Sequence, residues 1–302
     1  AKVKPGDDAV ARAMFEKEFV PYVAAGKKGT TGKLTGYDVQ EVHASKTKHD
    51  AYQIPILARP SDLVMVDLGD WVKDAHARKL WGHVDAKGKL VPFPTRGEIR
   101  TGALGKSAVV LAYANDPVDA LWAQIEGSAK AIMDDGTTLW LEFDGKNGRS
   151  YRGVGGVLKG MGVLAKGQHT MQGMRAWLTA NPKRFDEVVD QDQSYVFFKV
   201  SKLPGAVGTQ EVILTAERSA AVDRSQLALG TPIFVETRVP LVGKPGSEDW
   251  HHLLIAQDTG AGIMGAVRAD IYWGDNAKAA EFGGRMGGPG RYWVLLPRGV
   301  TK

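Results

Sequence analysis

Apolar and polar positions along this chain change period twice. Over residues 10–25, Val10, Met14, Phe15 and Phe19 share one helical face, so the spacing predicts a helix. Residues 30–36 read as a glycine-rich turn opening into 37–42, which alternates as a strand does. Residues 52–57 predict a strand that Pro55 confines to a sheet edge, because proline has no N–H for the ladder. From 62 to 145 short strands alternate with turn residues, at 63–68, 89–93, 108–113, 122–126 and 138–143. Asp134-Asp135-Gly136 supplies a hairpin turn among them. Residues 97–104 and 117–120 read as short helices.

The period lengthens to that of helices over residues 150–193, where Val154, Val157 and Leu158 share a face, as do Met174, Trp177 and Leu178; Asn181-Pro182 interrupts the run. Beyond Tyr195-Val196-Phe197-Phe198 strands return, at 212–215, 220–223, 232–237, 252–257, 269–273 and 291–296. No period of 20–50 residues repeats, which argues against a solenoid. The pattern is mostly β, of barrel or sandwich type, with helices in the middle.

Composition narrows the function classes. A chain of 302 residues can form one large domain or two smaller ones. No run of about 18 apolar residues exists to span a bilayer. The polar opening Ala1-Lys2-Val3-Lys4-Pro5 is not signal-like, as expected of a mature or trimmed protein. Cysteine is absent, which excludes disulfides and thiolate chemistry. The net charge of +5 comes from scattered cations, unlike the basic stripe of a nucleic-acid binder, and it suits an anionic polymer.

The candidate chemistry lies near the C-terminus. Gln257-Asp258-Thr259-Gly260-Ala261-Gly262 leads through Met264-Gly265 to Arg268-Ala269-Asp270-Ile271-Tyr272-Trp273-Gly274, two aspartates joined by a glycine-rich loop. This stretch resembles the three-aspartate domain of the lytic murein transglycosylase A family. Arg218–Asp223, Leu229–Pro232, Gly284-Arg285-Met286 and Pro289–Pro297 extend the likeness. Gln124–Ser128, Asp135-Gly136 and Asp144–Arg152 resemble the insert domain peculiar to that family, and Thr35-Gly36-Tyr37 and Pro94–Ile99 resemble further signatures. The chain departs from the pattern at Asp38-Val39-Gln40 and Glu126-Gly127-Ser128-Ala129.

The resemblance implies two domains. One is a double-psi β-barrel from residues 1–39 and 203–302; the other is a smaller inserted β-barrel from 40–202 with trailing helices, the glycan lying in the groove between them. It implies Asp270 as the catalytic acid and base, with Asp258 in support. Thr35, Tyr37, Gln124, Lys146, Tyr272 and Trp273 are implied as substrate-binding residues. Trp250 is a further aromatic that could stack on a sugar. Apolar neighbours Ala269, Ile271, Tyr272 and Trp273 would desolvate Asp270 and raise its pKa. The expected reaction breaks the MurNAc–GlcNAc bond and leaves 1,6-anhydro ends, without cofactor or metal.

Three other functions compete with that reading: a glycan-binding barrel without activity, a hydrolase with Asp258 or Glu126 as a second carboxylate, and a structural wall-attached scaffold. His251-His252 is a poor metal pair, since adjacent strand residues face opposite ways. Gly153-Val154-Gly155-Gly156 lacks the preceding strand of a nucleotide loop, and no Gly-x-Ser-x-Gly elbow occurs. Family resemblance further implies peptidoglycan strands as the partner, with cell-wall synthesis proteins as additional candidates and a monomeric chain. The implied location is the periplasm, as an outer-membrane lipoprotein in full-length form.

Overall fold

The structure, a computed structural model, describes residues 4, 6–73, 75, 78–165, 167–260 and 262–300; Ala261 of the glycine-rich loop and the opening Ala1-Lys2-Val3 and Pro5 lie outside these. The chain opens with α1 (Asp8–Glu18), β1 (Phe19–Val23) and β2 (Gly32–Tyr37). Then follow β3 (Gln40–Ser45), β4 (Ile54–Leu57), β5 (Val64–Asp67), β6 (Lys79–Val84), β7 (Leu90–Val91), α2 (Arg96–Arg100), β8 (Val110–Ala114) and α3 (Pro117–Glu126). Next come β9 (Ser128–Met133), β10 (Thr138–Lys146), α4 (Val154–Gly160), α5 (Met171–Ala180), α6 (Phe185–Val189) and β11 (Val196–Val200). The last stretch holds β12 (Ser219–Val222), β13 (Pro232–Pro240), β14 (Ser247–Asp258), β15 (Arg268–Tyr272), α7 (Ala277–Arg285) and β16 (Gly287–Pro297).

These elements form two compact units, one from Ala1–Asp38 and Gly208–Lys302, the other Val39–Val207. In the first, the strand order β16-β13-β14-β12-β15-β2 closes on itself through β2–β16, and β1 adds to β16 from outside. Two of its pairings are parallel, β12–β14 and β15–β2, as the double-psi barrel requires. Alternate residues of each strand point inward, so Leu34, Ala220, Val222, Ile233, Val235, Leu254, Ala256, Ala269 and Ile271 fill the interior.

In the second unit, β11-β10-β9-β3-β8-β4 is a six-stranded sheet, brought nearly to closure by a single bridge between Ala58 and Phe198. β4 stands at the end of this order, and its Pro55 pairs with Tyr113 of β8 alone. Helices α3, α4, α5 and α6 make a separate apolar cluster around Leu121, Trp122, Leu158, Leu178 and Val188. A three-stranded sheet, β5-β6-β7, completes the unit.

Several elements differ from the sequence expectations, each for a local reason. The first helix stops at Glu18, because Pro21 disfavours helical backbone at Val20 and Phe19–Val23 pairs with β16. Residues 32–37 are strand where a turn was expected, and the chain breaks at Asp38-Val39 before β3. Residues 122–126 are helical: Asp116 accepts from Val118 and Asp119 N–H, Pro117 takes the first turn, and Gly127 at φ 76° ends the helix. Residues 212–215 form no strand, and α7 was not anticipated. The inserted unit is also the longer of the two, not the smaller, because its helices and β5–β7 add to its barrel.

Candidate active site

Strand register gathers most of the candidate residues onto one outward barrel face. Asp258 of β14 and Asp270 of β15 both register with Ala221 of β12, which lies between them. Asp270 in turn registers with Thr35, and Tyr272 with Tyr37. Opposed residues point the same way, so Asp258, Ala221, Asp270 and Thr35 form one row. Two strand spacings separate the aspartate backbones, about 10 Å. Residues two further on, Tyr37 and Tyr272, stay on that face with ring centroids 5.4 Å apart.

Each carboxylate has its own setting. The Thr35 hydroxyl donates to Asp270 Oδ1 at 2.5 Å, and Oδ2 takes no hydrogen bond among the described residues. Burial raises the Asp270 pKa; the Thr35 bond, Arg268 and Lys33 pull it down less strongly, and nearby Asp258 adds to the rise. Asp258 is instead held on both oxygens. Tyr37 donates to its Oδ2 at 2.9 Å, while Thr209 donates to Oδ1 from its N–H at 2.9 Å and its hydroxyl at 3.0 Å. Burial, then the charge of Asp258, holds the Tyr37 pKa far above ordinary values, so this phenol remains a donor. Burial likewise raises the Tyr272 pKa, with help from Asp275 and Asp38.

The loop joining the aspartates is tied back to the barrel. Asp223, just beyond β12, accepts from Gly265 N–H at 2.7 Å with one oxygen and from Ser225 with the other. Gly265 has φ 117°, a conformation open to glycine. Asp223 is thus a structural anchor for the segment that carries Asp270.

Trp273 is not on this face. One position beyond Tyr272, it points into the core and stacks on Phe282 at 4.2 Å with Trp250 tilted at 5.4 Å. The same parity sends Ala269 and Ile271 inward, so they line the core and leave desolvation of Asp270 to its outward neighbours. Trp250 itself is 8% exposed, and its ring stacks on His252. Neither tryptophan has a face free for a sugar. The middle residue of Thr35-Gly36-Tyr37 explains itself here: a Cβ on Gly36 would sit 2.5 Å from Trp273 Nε1 and 2.7 Å from its Cδ1. Gly36→Ala is expected to lose about 1–3 kcal/mol through this overpacking, read as a lower urea midpoint.

Gln124 and Lys146 belong to the second unit. The Gln124 carbonyl accepts from Arg96 Nη1 at 2.7 Å, which fixes the orientation of the amide. Arg96 is buried and also donates to Asp192, through Nη2 at 3.3 Å to the carboxylate and through Nε at 3.2 Å to the backbone carbonyl. Lys146 ends β10 and lines a shallow depression with Lys79 and Trp81. Sequence reading did not single out Thr209, Arg96 or Asp192. Thr209 reaches Asp258 across 49 positions, and no local pattern signals it.

Comparison with known proteins accords with this geometry. The family model described as the MltA specific insert domain matches residues 33–199, and that described as the 3D domain matches 218–296. Membrane-bound lytic murein transglycosylase A of Escherichia coli K12 is 31% identical over 268 residues, 87% of this chain. The match takes in 65% of that relative's length. The crystal structure of MltA from Neisseria gonorrhoeae superposes with a TM-score of 0.83 at 32% identity, covering 97% of this chain and 80% of that one. E. coli MltA with bound chitohexaose gives 0.77 at 28% identity, covering 95% and 78%. With both domain models matched in order and a solved relative at 32% identity covering 97% of it, this chain belongs to the membrane-bound lytic murein transglycosylase A family.

Proposed function

We propose that this chain is a lytic transglycosylase that cleaves the β-1,4 MurNAc–GlcNAc bond of peptidoglycan and leaves 1,6-anhydro-MurNAc ends. The observation that carries the proposal is the contrast between its two aspartates. Asp270 has a raised pKa and an open Oδ2, as an acid needs, whereas both oxygens of Asp258 are already engaged. A hydrolase would need a second carboxylate free to activate water or attack carbon, and Asp258 is held by three hydrogen bonds.

In this mechanism Asp270 Oδ2 gives its proton to the glycosidic oxygen as the bond to C1 breaks. The C6 hydroxyl oxygen of the same MurNAc bonds to C1, and its proton returns to the Asp270 carboxylate. One group therefore serves as acid and then base, and the tethered hydroxyl supplies the effective concentration that water lacks. Thr35 fixes the rotation of the carboxyl through Oδ1. Asp258, held by Tyr37 and Thr209, lies near Asp270 and disfavours its ionisation. Tyr37 and Tyr272 pack against each other beside the acid, with Tyr272 only 4% exposed. Gln124 and Lys146 are the sugar-contacting groups proposed for the second unit.

The E. coli relative with bound chitohexaose, a β-1,4 glycan, supports the substrate class. The curated relatives' names support a place in the cell envelope, against the wall. The test is digestion of purified sacculi, with soluble products weighed by mass spectrometry. Products lighter by one water than reducing-end muropeptides support the proposal; reducing ends favour the hydrolase, and no products favour a binding barrel.

Thr35→Val gives a finer check. The Thr35 bond favours the ionised carboxyl, so its loss raises the Asp270 pKa further. The fall in activity on the alkaline side is expected to move to higher pH. The maximal rate is expected to drop about ten- to a hundred-fold as the carboxyl loses its fixed rotation. Initial rates of sacculus solubilisation across pH measure both effects.

A further inference from the structure

The strands that carry Asp270 and Thr35 bear a second outward pair beside them. Arg268 of β15 registers with Lys33 of β2, two positions before Asp270 and Thr35. Residues two apart on a strand point the same way, so both cations share the face of the acid, about 7 Å along it. Tyr272 and Tyr37 hold the equivalent place on the other side. The acid is therefore flanked by a cationic end and a phenolic end.

Charge at the cationic end is one-sided. Residues 19–37 contain Lys27, Lys28 and Lys33 and no acid, and residues 259–269 contain Arg268 and no acid. Gly26, which closes the Lys27-Lys28 turn with Gly29, lies against Ala266, so that turn belongs to the same end. Neighbouring strands add no counterion. Pro289 of β16 registers with Lys33. Asp223, one past the Val222 that opposes Ala269, has its oxygens on Ser225 and Gly265. Among the described residues, neither Lys33 nor Arg268 has a carboxylate within ion-pair distance.

The Arg268 guanidinium is held in place and only partly used. Its Nη1 donates to the Lys33 carbonyl at 3.4 Å and to the Ala269 carbonyl at 2.6 Å. Its Nε and Nη2 have no acceptor among the described residues, and Lys33 stands exposed beside it. Both cations also pull the Asp270 pKa down. They oppose the protonated acid that the proposed cleavage needs, so the acid does not account for their placement. A bound anion does, because it pairs with the two cations and screens their pull on Asp270. In peptidoglycan the 3-O-lactyl arm of MurNAc ends in a carboxylate, either free or extended by the peptide stem. This arm leaves the ring whose C1 is cleaved, so its acidic end reaches beyond the acid by the width of a sugar ring, where the pair stands.

We propose that Lys33 and Arg268 bind the carboxylate of the MurNAc side arm at the cleavage site and so select muramyl glycan over neutral glycan. The proposal rests on the lytic reading above for its substrate. Three forms of one glycan test it: sacculi, strands stripped of peptide by an amidase so that the lactyl carboxylate is free, and stripped strands capped as methylamides. The wild-type KM is expected to be about ten-fold lower on stripped than on capped strands. Lys33→Gln and Arg268→Gln are each expected to raise KM on stripped strands about three- to ten-fold, a penalty that disappears on capped strands. Lys33→Gln keeps the test open if loss of the Arg268 backbone bonds impairs folding. Screening by the bound carboxylate should also place the alkaline limb of kcat above that of kcat/KM on stripped strands, a separation lost in Lys33→Gln/Arg268→Gln. A variant penalty on sacculi assigns the stem carboxylate to the pair as well; its absence there confines the contact to the free lactyl group. Equal penalties on stripped and capped strands overturn the proposal, as does a wild type indifferent to capping. Titration calorimetry with Asp270→Asn reads the same contact without turnover. Equal affinity for stripped and capped strands overturns the proposal whatever products the active chain makes, whereas missing anhydro ends strike the lytic reading alone.

Discussion

Asp270→Asn is expected to abolish formation of 1,6-anhydro ends while leaving the fold intact, with a rate loss of about a thousand-fold or more. Asparagine keeps an oxygen for the Thr35 hydroxyl and the same volume, but it has no proton to give and cannot take one back. The same variant carries a second signature, in stability. Burial raises the folded-state pKa of Asp270 above its ordinary 3.8, so the folded chain holds this proton more tightly than the unfolded one. Stability then falls as pH rises from the unfolded value through the folded one, and at neutral pH the whole penalty of a buried carboxylate is present. Removing that charge should therefore raise the melting temperature at pH 7, with the gain shrinking to nothing below about pH 4. Thermal melts of both proteins across pH check the sign. A variant destabilised at pH 7 would show that the ionised carboxylate is stabilising and would remove the basis for its role as an acid.

Arg96→Ala should produce the largest loss of stability, about 3–5 kcal/mol. Arg96 and Asp192 are 5% and 2% exposed, and the guanidinium also holds Gln124 and lies over the Tyr195 ring at 5.6 Å. Burial lowers the Arg96 pKa, and Asp192 offsets part of that cost. Without the arginine, Asp192 keeps only the backbone donors of Arg152 and Ser194 on Oδ1, and its Oδ2 loses its charged partner. Arg96→Lys should be intermediate, because an ammonium cannot reach Gln124 and both parts of Asp192 in the same fork. Urea unfolding midpoints measure the series, and a loss under about 1 kcal/mol for Arg96→Ala would mean that the pair is not a structural anchor.

How far the sequence reveals this site depends on how local each contact is. The aspartates lie in a continuous motif, and β15 alternates so regularly that Asp270 facing away from Ala269 and Ile271 follows from period alone. The same alternation excludes Trp273 from the sugar face, so that correction lay within reach of the sequence. The sequence places Thr35 in a turn and starts a strand only at Tyr37, because two glycines in Gly32–Tyr37 mask a strand that sits at close quarters with Val267 and Trp273. Sequence period alone divides α3 into helix and strand, because Leu121, Trp122 and Ile125 suit either period, while Asp116 and Pro117 set the helical start. Thr209 and the Arg96–Asp192 pair join positions 49 and 96 residues apart, contacts that only the closed topology creates.

In the proposed mechanism the substrate's own hydroxyl, and not water, takes the broken bond. Digesting sacculi in water enriched in oxygen-18 and weighing the products tests this most directly. If Asp270 drives intramolecular closure, the new MurNAc ends are anhydro and carry no label. Oxygen-18 at the new reducing ends would show attack by water and would contradict the single-carboxylate mechanism.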